Sequence, residues 1–354
     1  MSALLTVVND LASQFNTQVP HATFLAAGQL DGLEPLLRSL DLLRSGESIV
    51  RTEKPGEGNM NFVLRVVTTQ QSFILKQSRP WVEKYPQIAA PVERLAAEAA
   101  YYRFTSQHPV FKNWSPALLA NNAEHLVMII EDLGAGSDLT SIYQSNHTMP
   151  TRDIRDLFAY LAELHRCSLD ADPAEFPTNQ ELKQLNHAHI FDLPFRSDNG
   201  FDLDSVQAGL SALAHPIIDD SAFQAQLREL GEVYLGTGPV LIHGDFYPGS
   251  WLQTAKGIQI IDPEFAYLGH AEFDLGVMIG HLLMAQTPMT EIQRGLEGYL
   301  QAGRLDHALV SGFAGAEILR RLIGLAQLPL QLSLEEKREL IAVARDMMRT
   351  PLVL

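Results

Sequence analysis

Two short apolar runs in the second half of the chain each end in carboxylates. Val240 to Ile242 leads into His243-Gly244-Asp245, and Ile258 to Ile261 leads into Asp262-Pro263-Glu264. The first run, bounded by Pro239 and Gly244, has the apolar, β-branched character of a buried strand. Trp251 to Thr254 and Gly257 to Ile261 read as a hairpin turned at Ala255-Lys256-Gly257, and its second arm delivers Asp262 and Glu264 to its mouth. Asp245, Asp262 and Glu264 are therefore expected to converge. Mg²⁺ takes one or two protein carboxylates and completes its shell with phosphate oxygens and water, a role that Asp262, Glu264 and Ser250 fit. An acid on a loop can accept the proton of a hydroxyl and orient it for attack on phosphorus, and Asp245 fits that role. Taken singly, each residue has a plainer reading: a strand-end Asp caps a turn and His243 packs in the core. Their order and spacing together favour the chemical one.

A second set lies in the first half. Pro55-Gly56-Glu57-Gly58-Asn59-Met60-Asn61 separates two strand patterns, and a glycine-bearing turn lets backbone N–H groups approach a phosphate that a Cβ would obstruct. Lys76 ends the next strand pattern, where a core-facing ammonium is costly unless it meets an anion. Glu98, on the helical stretch Pro91 to Phe104, can supply that pairing, with Glu93 as its competitor. Leu126 to Ile130 reads as a buried strand followed by Glu131-Asp132-Leu133 and the turn Gly134-Ala135-Gly136, a crossing between two lobes where main-chain groups could bind a flat base. Arg320-Arg321 sit in an apolar helical stretch, Ala314 to Gln327. They are either solvated charges or donors placed for an oxygen-rich ligand.

These residues need elements to hold them. Ile49 to Thr52, Phe62 to Val67 and Phe73 to Lys76 read as three strands, preceded by helical spacing over residues 1 to 45, notably at Leu33, Leu36, Leu37, Leu40 and Leu43, with Asp31 as an N-cap. Thr151 to Leu169, Phe273 to Leu283 and Glu335 to Arg349 read as helices, so the second lobe is mainly helical. Asp274 is placed to cap its helix or to brace the Asp245 loop. His165 reads as a hydrogen-bonded core histidine, and His187-Ala-His189 lacks a third ligand at metal-binding spacing.

At 354 residues and 46% hydrophobic content the chain is long enough for two lobes with sizeable cores. Its net charge of −16 argues against nucleic acid and anionic membrane as partners. Cys167 is the single cysteine, so no intrachain disulfide forms. With no basic leader and no apolar run long enough to span a bilayer, the expectation is a soluble cytoplasmic protein.

Taken in order, the glycine turn with Gly58 and Asn59, Lys76, Glu98, Glu131-Asp132-Leu133, His243-Gly244-Asp245 and Asp262-Pro263-Glu264 resemble the kinase-like small-molecule phosphotransferases, which include aminoglycoside phosphotransferases and choline kinases. Ser250, five positions after Asp245, the Asp262-Pro-Glu-Phe265 stretch, Gly58-Asn-Met-Asn-Phe62 and Ala316-Glu-Ile-Leu-Arg-Arg-Leu-Ile-Gly-Leu-Ala326 are similar to the methylthioribose kinase family within that group. Where that family usually has Leu-His-Thr, this chain has Phe246-Tyr-Pro248, a departure that bears on the acceptor more than on the reaction.

The resemblance implies an α+β, bilobal protein-kinase-like fold. Its N-terminal antiparallel-sheet lobe over residues 1–131 would bind the nucleotide, and its larger helical lobe over 132–354 would bind substrate and catalyse. It implies transfer of the γ-phosphoryl of ATP to an alcohol, the 1-hydroxyl if the acceptor is 5-methylthioribose. Asp245 would position and deprotonate that hydroxyl, and Asp262 and Glu264 would hold Mg²⁺. Lys76, fixed by Glu98, would neutralise the nucleotide, Glu131 to Leu133 would present main-chain groups to adenine, and Arg320 and Arg321 would hold sugar oxygens. The expected partner is a small hydroxylated substrate, with a second copy of the chain left open. The competing expectations are a kinase of another hydroxylated metabolite, a Mg-dependent hydrolase and a nucleotide-binding pseudoenzyme.

Overall fold

The computed structural model describes residues 2–56, 60–144, 147–301 and 303–351. Gly58 and Asn59, named above for a phosphate-binding turn, lie outside the described residues. The chain divides into two compact units, Met1–Gly134 and Ala135–Leu354.

The first unit holds α1 (Ser2–Gln18), α2 (Leu33–Ser39), β1 (Ile49–Glu53), β2 (Phe62–Thr68), β3 (Ser72–Gln77), β4 (Trp81–Val82), β5 (Tyr85–Ala89), α3 (Arg94–Gln107), β6 (Leu118–Asn122) and β7 (Val127–Glu131). Five strands form one sheet in the order β1-β2-β3-β7-β6, with every neighbouring pair antiparallel. Side chains alternate across a strand, so Phe62, Leu64 and Val66 of β2 share a face with Phe73 and Leu75 of β3 and Val127 and Ile129 of β7. That face closes on Leu33, Leu36 and Leu37 of α2 in one buried cluster. Lys76 falls on the other face, where α3 carries its side chains. The α2 helix starts behind Gly32 with no side-chain cap, so the Asp31 cap is corrected. The α3 helix starts at Arg94, three residues after Pro91.

The second unit holds β8 (Gly136–Asp138), α4 (Thr151–Ser168), α5 (Gln180–His187), α6 (Leu203–Val206), α7 (Leu210–Ile218), α8 (Ser221–Leu235), β9 (Val240–Ile242), β10 (Trp251–Thr254), β11 (Gly257–Ile260), β12 (Tyr267–Gly269), α9 (Ala271–Met284), α10 (Met289–Leu300), α11 (His307–Ile323) and α12 (Leu334–Arg349). β10 and β11 form the expected hairpin, and β8 adds to the free edge of β10, while β9 pairs with β12. Helix α9 packs on α11, and α11 on α12. A Cβ at Gly276 would lie 2.5 Å from Cβ of Phe313, so glycine is what allows α9 and α11 to approach this closely. Among the described residues no helix is long and apolar enough to cross a membrane. The fold is α+β, with an N-terminal antiparallel sheet followed by a mainly helical part, as the sequence implied.

Candidate functional site

In the first unit, Lys76 of β3 and Glu98 of α3 form an ion pair, both of them buried. One helical turn before Glu98, the fully buried Arg94 donates to Oδ1 of Asn61 and to the carbonyls of Met60, Arg79, Pro91 and Trp81. Arg94 thus ties the start of α3 to the chain that leaves the glycine turn. At the end of β7, the Glu131 N–H donates to the Ala117 carbonyl at 2.9 Å. The Asp132 carboxylate accepts from Arg65 at 3.0 and 3.1 Å and from the Gly134 N–H at 3.0 Å. Local bonds therefore occupy the Asp132 side chain and the Glu131 amide, and Leu133 follows directly after them.

In the second unit, Asp245 sits on the loop that leaves β9. Asp274, in the first turn of α9, accepts from the N–H groups of His243 at 2.7 Å and Gly244 at 3.0 Å, so it braces the loop. His243 is fully buried, with its Nδ1 facing the Asp245 N–H at 3.4 Å and its Nε2 facing the Ile261 carbonyl at 3.0 Å. A ring that accepts at Nδ1 donates at Nε2, which links the Asp245 loop to the end of β11. Ser250, read above as a metal candidate, is 2% exposed, and its hydroxyl contacts the carbonyls of Asp245 at 2.7 Å and Tyr247 at 3.1 Å. Its donor holds the loop, and the oxygen lone pairs that a metal would use are a separate capacity of the same hydroxyl.

Gly244 has φ +81, and a Cβ there would stand 2.2 Å from the Phe265 carbonyl oxygen. Both the left-handed backbone and the contact exclude a side chain. Gly244→Ala is expected to lower the unfolding midpoint and abolish turnover, and a variant with wild-type rate and midpoint would contradict this placement of the loop.

Asp262 follows β11 with φ 61, a left-handed conformation that Asp tolerates better than most residues, and it is exposed. Asn179 holds the next residues by donating to the carbonyls of Glu264 at 2.8 Å and Ala266 at 3.3 Å. Asp245 and Asp262 both act electrostatically on Tyr247 and His243, which puts them in one neighbourhood. Among the described residues no three His, Cys, Asp or Glu side chains make a metal-holding group, and Asp245 faces Arg320 and Arg321.

Arg320 and Arg321 are 5% and 7% exposed, so they are not solvated helix charges. Each directs an Nη2 at the same Asp245 oxygen, at 3.5 and 3.7 Å. Behind them lies Glu317, paired with Arg320 at 2.6 Å and Arg321 at 2.8 Å and in contact with His281 Nε2 at 2.9 Å. The Tyr143 hydroxyl lies 2.6 Å from His281 Nδ1. The Tyr247 ring covers the Arg321 guanidinium at 5.0 Å. Burial pushes the Asp245 carboxyl up, and Arg321 and Arg320 pull against it. Burial would also raise the Glu317 carboxyl, but Arg320 and Arg321 hold it well below the usual range. Burial drives His281 down to about 4. The unfolded chain therefore takes up a proton at this histidine below about pH 6.5 that the folded chain refuses until about pH 4. Stability is expected to fall as pH drops through that window, and the acid-side slope of the unfolding midpoint is expected to shrink in a His281→Gln variant.

Sequence reasoning passed over Glu317, His281, Tyr143 and Asn179. Glu317 did carry a signal, because it precedes the arginines by three and four positions, the spacing of side-chain neighbours on a helix. The contacts of Asn179 and Tyr143 join residues far apart in sequence and had none.

The second unit thus holds a loop acid against two guanidiniums, and the first a buried lysine–glutamate pair on an antiparallel sheet. The chain belongs to the phosphotransferase enzyme family (APH), whose model matches residues 52–310. Among its relatives is the methylthioribose kinase of Exiguobacterium sibiricum, 26% identical over 330 residues that cover 82% of this chain and 83% of that protein. That of Geobacillus thermodenitrificans is 27% identical, covering 88% and 87%. In fold it is similar to an ethanolamine kinase of Plasmodium vivax, with a TM-score of 0.51, 12% identity and coverage of 96% and 93%. A spectinomycin phosphotransferase solved with ADP and spectinomycin has a TM-score of 0.50, 15% identity and coverage of 90% and 97%. The protein is a kinase-like phosphotransferase enzyme whose curated relatives include methylthioribose kinases.

Proposed function

We propose that this chain transfers the γ-phosphoryl group of ATP to a hydroxyl of a small neutral sugar, the 1-hydroxyl of 5-methylthioribose or a close analogue. The observation that carries the reading is the pair of buried arginines directed at Asp245. In this reading the acceptor hydroxyl binds at Asp245, which takes its proton as the alcohol oxygen bonds to the γ-phosphorus and the bond to the β–γ bridging oxygen breaks, releasing ADP. Arg320 and Arg321 orient the acceptor through its other oxygens, as planar guanidiniums do. Positioning and charge neutralisation supply most of the acceleration, because the transition state is loose.

Residues 1–131 act as the nucleotide-binding lobe and 132–354 as the catalytic and acceptor-binding lobe. Lys76, kept in place by Glu98, neutralises phosphate oxygens, and Gly58 and Asn59 are assigned to the same phosphates. Glu131, Asp132 and Leu133 form the segment facing adenine, and Leu133 offers the main-chain groups because the Glu131 N–H is committed to Ala117. Asp262 and Glu264, separated by Pro263, offer the hard oxygen donors that Mg²⁺ prefers, and two carboxylates suit an ion that takes its other ligands from phosphates and water. When bound, the ion would neutralise charge between the phosphates.

The second reading, a kinase of a cationic amino alcohol or aminoglycoside, draws on the overall net charge of −16. The arginine pair argues against it, since an ammonium group at Asp245 would meet two guanidiniums. Turnover with MgATP of 5-methylthioribose, choline and an aminoglycoside, with the products identified by phosphorus NMR, tests the assignment. Fast phosphorylation of methylthioribose and none of the cations is expected. Brisk turnover of another alcohol with none of methylthioribose would overturn the acceptor, and phosphate release without an acceptor product would point to hydrolysis.

A further inference from the structure

Residues 320 and 321 are adjacent on α11, so their side chains leave the helix about 100° apart. Both nevertheless reach one oxygen of Asp245, which like charges do not do unaided. Glu317 resolves this. Standing three and four residues before them, it faces the Arg320 guanidinium with Oε2 and accepts from Arg321 at Oε1, so one carboxylate offsets both charges. Its own orientation comes from behind. An ionised Glu317 only accepts, so His281 must donate from Nε2, and a neutral imidazole that donates there accepts at Nδ1, which makes the Tyr143 hydroxyl the donor. Four elements of the second unit meet in this chain: the turn after β8, α9, α11 and the Asp245 loop.

We propose that Glu317 is a positioning residue for the acceptor, and that with His281 and Tyr143 behind it, it holds the arginine pair so that the site takes an uncharged, oxygen-rich alcohol. This rests on the transfer reading above. Two guanidiniums stand against two carboxylates, Glu317 and Asp245, so an arriving neutral polyol finds donors without an excess of charge. Without Glu317 the arginines would repel one another over Asp245, and the polyol would lose its fixed donors. The other contacts of the pair reinforce the geometry, with Asn186 accepting from Arg320 and the Ala326 carbonyl from Arg321, each at 3.4 Å.

Steady-state kinetics of Glu317→Gln with MgATP and the neutral acceptor test the proposal. The acceptor KM is expected to rise about tenfold or more while the ATP KM stays within about twofold. Because a buried carboxylate is removed, Tyr143→Phe serves as a milder companion that deletes one hydroxyl. It is expected to raise the acceptor KM in the same direction by about threefold, with a smaller fall in the unfolding midpoint than Glu317→Gln gives. Nitrogen NMR of His281 in the wild type is expected to show the neutral Nε2–H tautomer at pH 7. An unchanged acceptor KM in both variants, an equal rise in the ATP KM, or an Nδ1–H tautomer would overturn the positioning role. Should the wild type prefer a cationic amino alcohol to every neutral polyol, the acceptor class falls while the transfer stands. Should it phosphorylate no alcohol, the transfer reading falls, and this proposal with it.

Discussion

Asp245→Ala is expected to lower turnover by about a hundredfold or more and to leave the thermal shift produced by MgATP close to that of the wild type. The reason is the division of labour proposed above. Asp245 touches Arg320 and Arg321 and sits on a loop clamped by Asp274, Ser250 and His243, whereas the buried Lys76–Glu98 pair assigned to the nucleotide belongs to the other unit. Removing the carboxylate takes away a proton acceptor and an orienting group in one step. Asp245→Asn separates the two, because the amide keeps the shape and can still orient a hydroxyl but accepts its proton far less readily. If the alanine variant lost nucleotide affinity in the same proportion as turnover, the role of Asp245 would be wrong.

Glu98→Ala is expected to destabilise the first unit by about 3–5 kcal/mol, because it removes the buried carboxylate that faces the buried Lys76 ammonium. Glu98 is fully buried, Lys76 is 4% exposed, and the β3 lysine cannot turn to solvent without leaving the sheet face it occupies. Lys76→Met with Glu98→Leu replaces both charges by apolar groups of similar volume and is expected to recover most of that stability while leaving ATP turnover very low. Chemical denaturation of the single and double variants, read beside ATP turnover, checks both halves. A double variant that turned over ATP normally would remove the lysine from the nucleotide site.

Much of the sheet was legible because its strands alternate: Phe62, Leu64 and Val66 on one face of β2 announce a half-buried ribbon, and the structure pairs it as expected with β3. The Lys76–Glu98 pair was readable as well, since a charge at the inner end of a strand needs a counter-charge nearby. Helix α11 was placed too late, at Ala314 rather than His307. Its early turns contain Gly312 and Gly315, which lower helix propensity, and what pays for them is packing, with a Cβ at Gly315 only 2.6 Å from the Ala344 carbonyl of α12. Chain order suggested that Asp245 and Asp262 share a neighbourhood, but it could not say that Asp245 also faces Arg320 and Arg321, which come from α11 far downstream. The stretch from Asp170 to Thr237 resisted reading because much of it is built of short pieces, α5 to α7, with a π-helical turn at Ala188–Asp192 that no simple period describes.

The strand that completes the β10–β11 hairpin is β8, at the opening of the second unit, and Leu139 just after it donates its N–H to the Pro248 carbonyl at 2.9 Å. During synthesis the ribosome therefore releases Gly136–Asp138 long before its partner exists, and this edge must wait through α4 to α8 for β10 to emerge. Closing so long a segment is entropically slow, so the loop bearing Asp245 should be among the last regions to settle. A nascent chain halted ahead of Thr254 would display an unmatched ribbon edge, the kind of surface that chaperones and proteases find first.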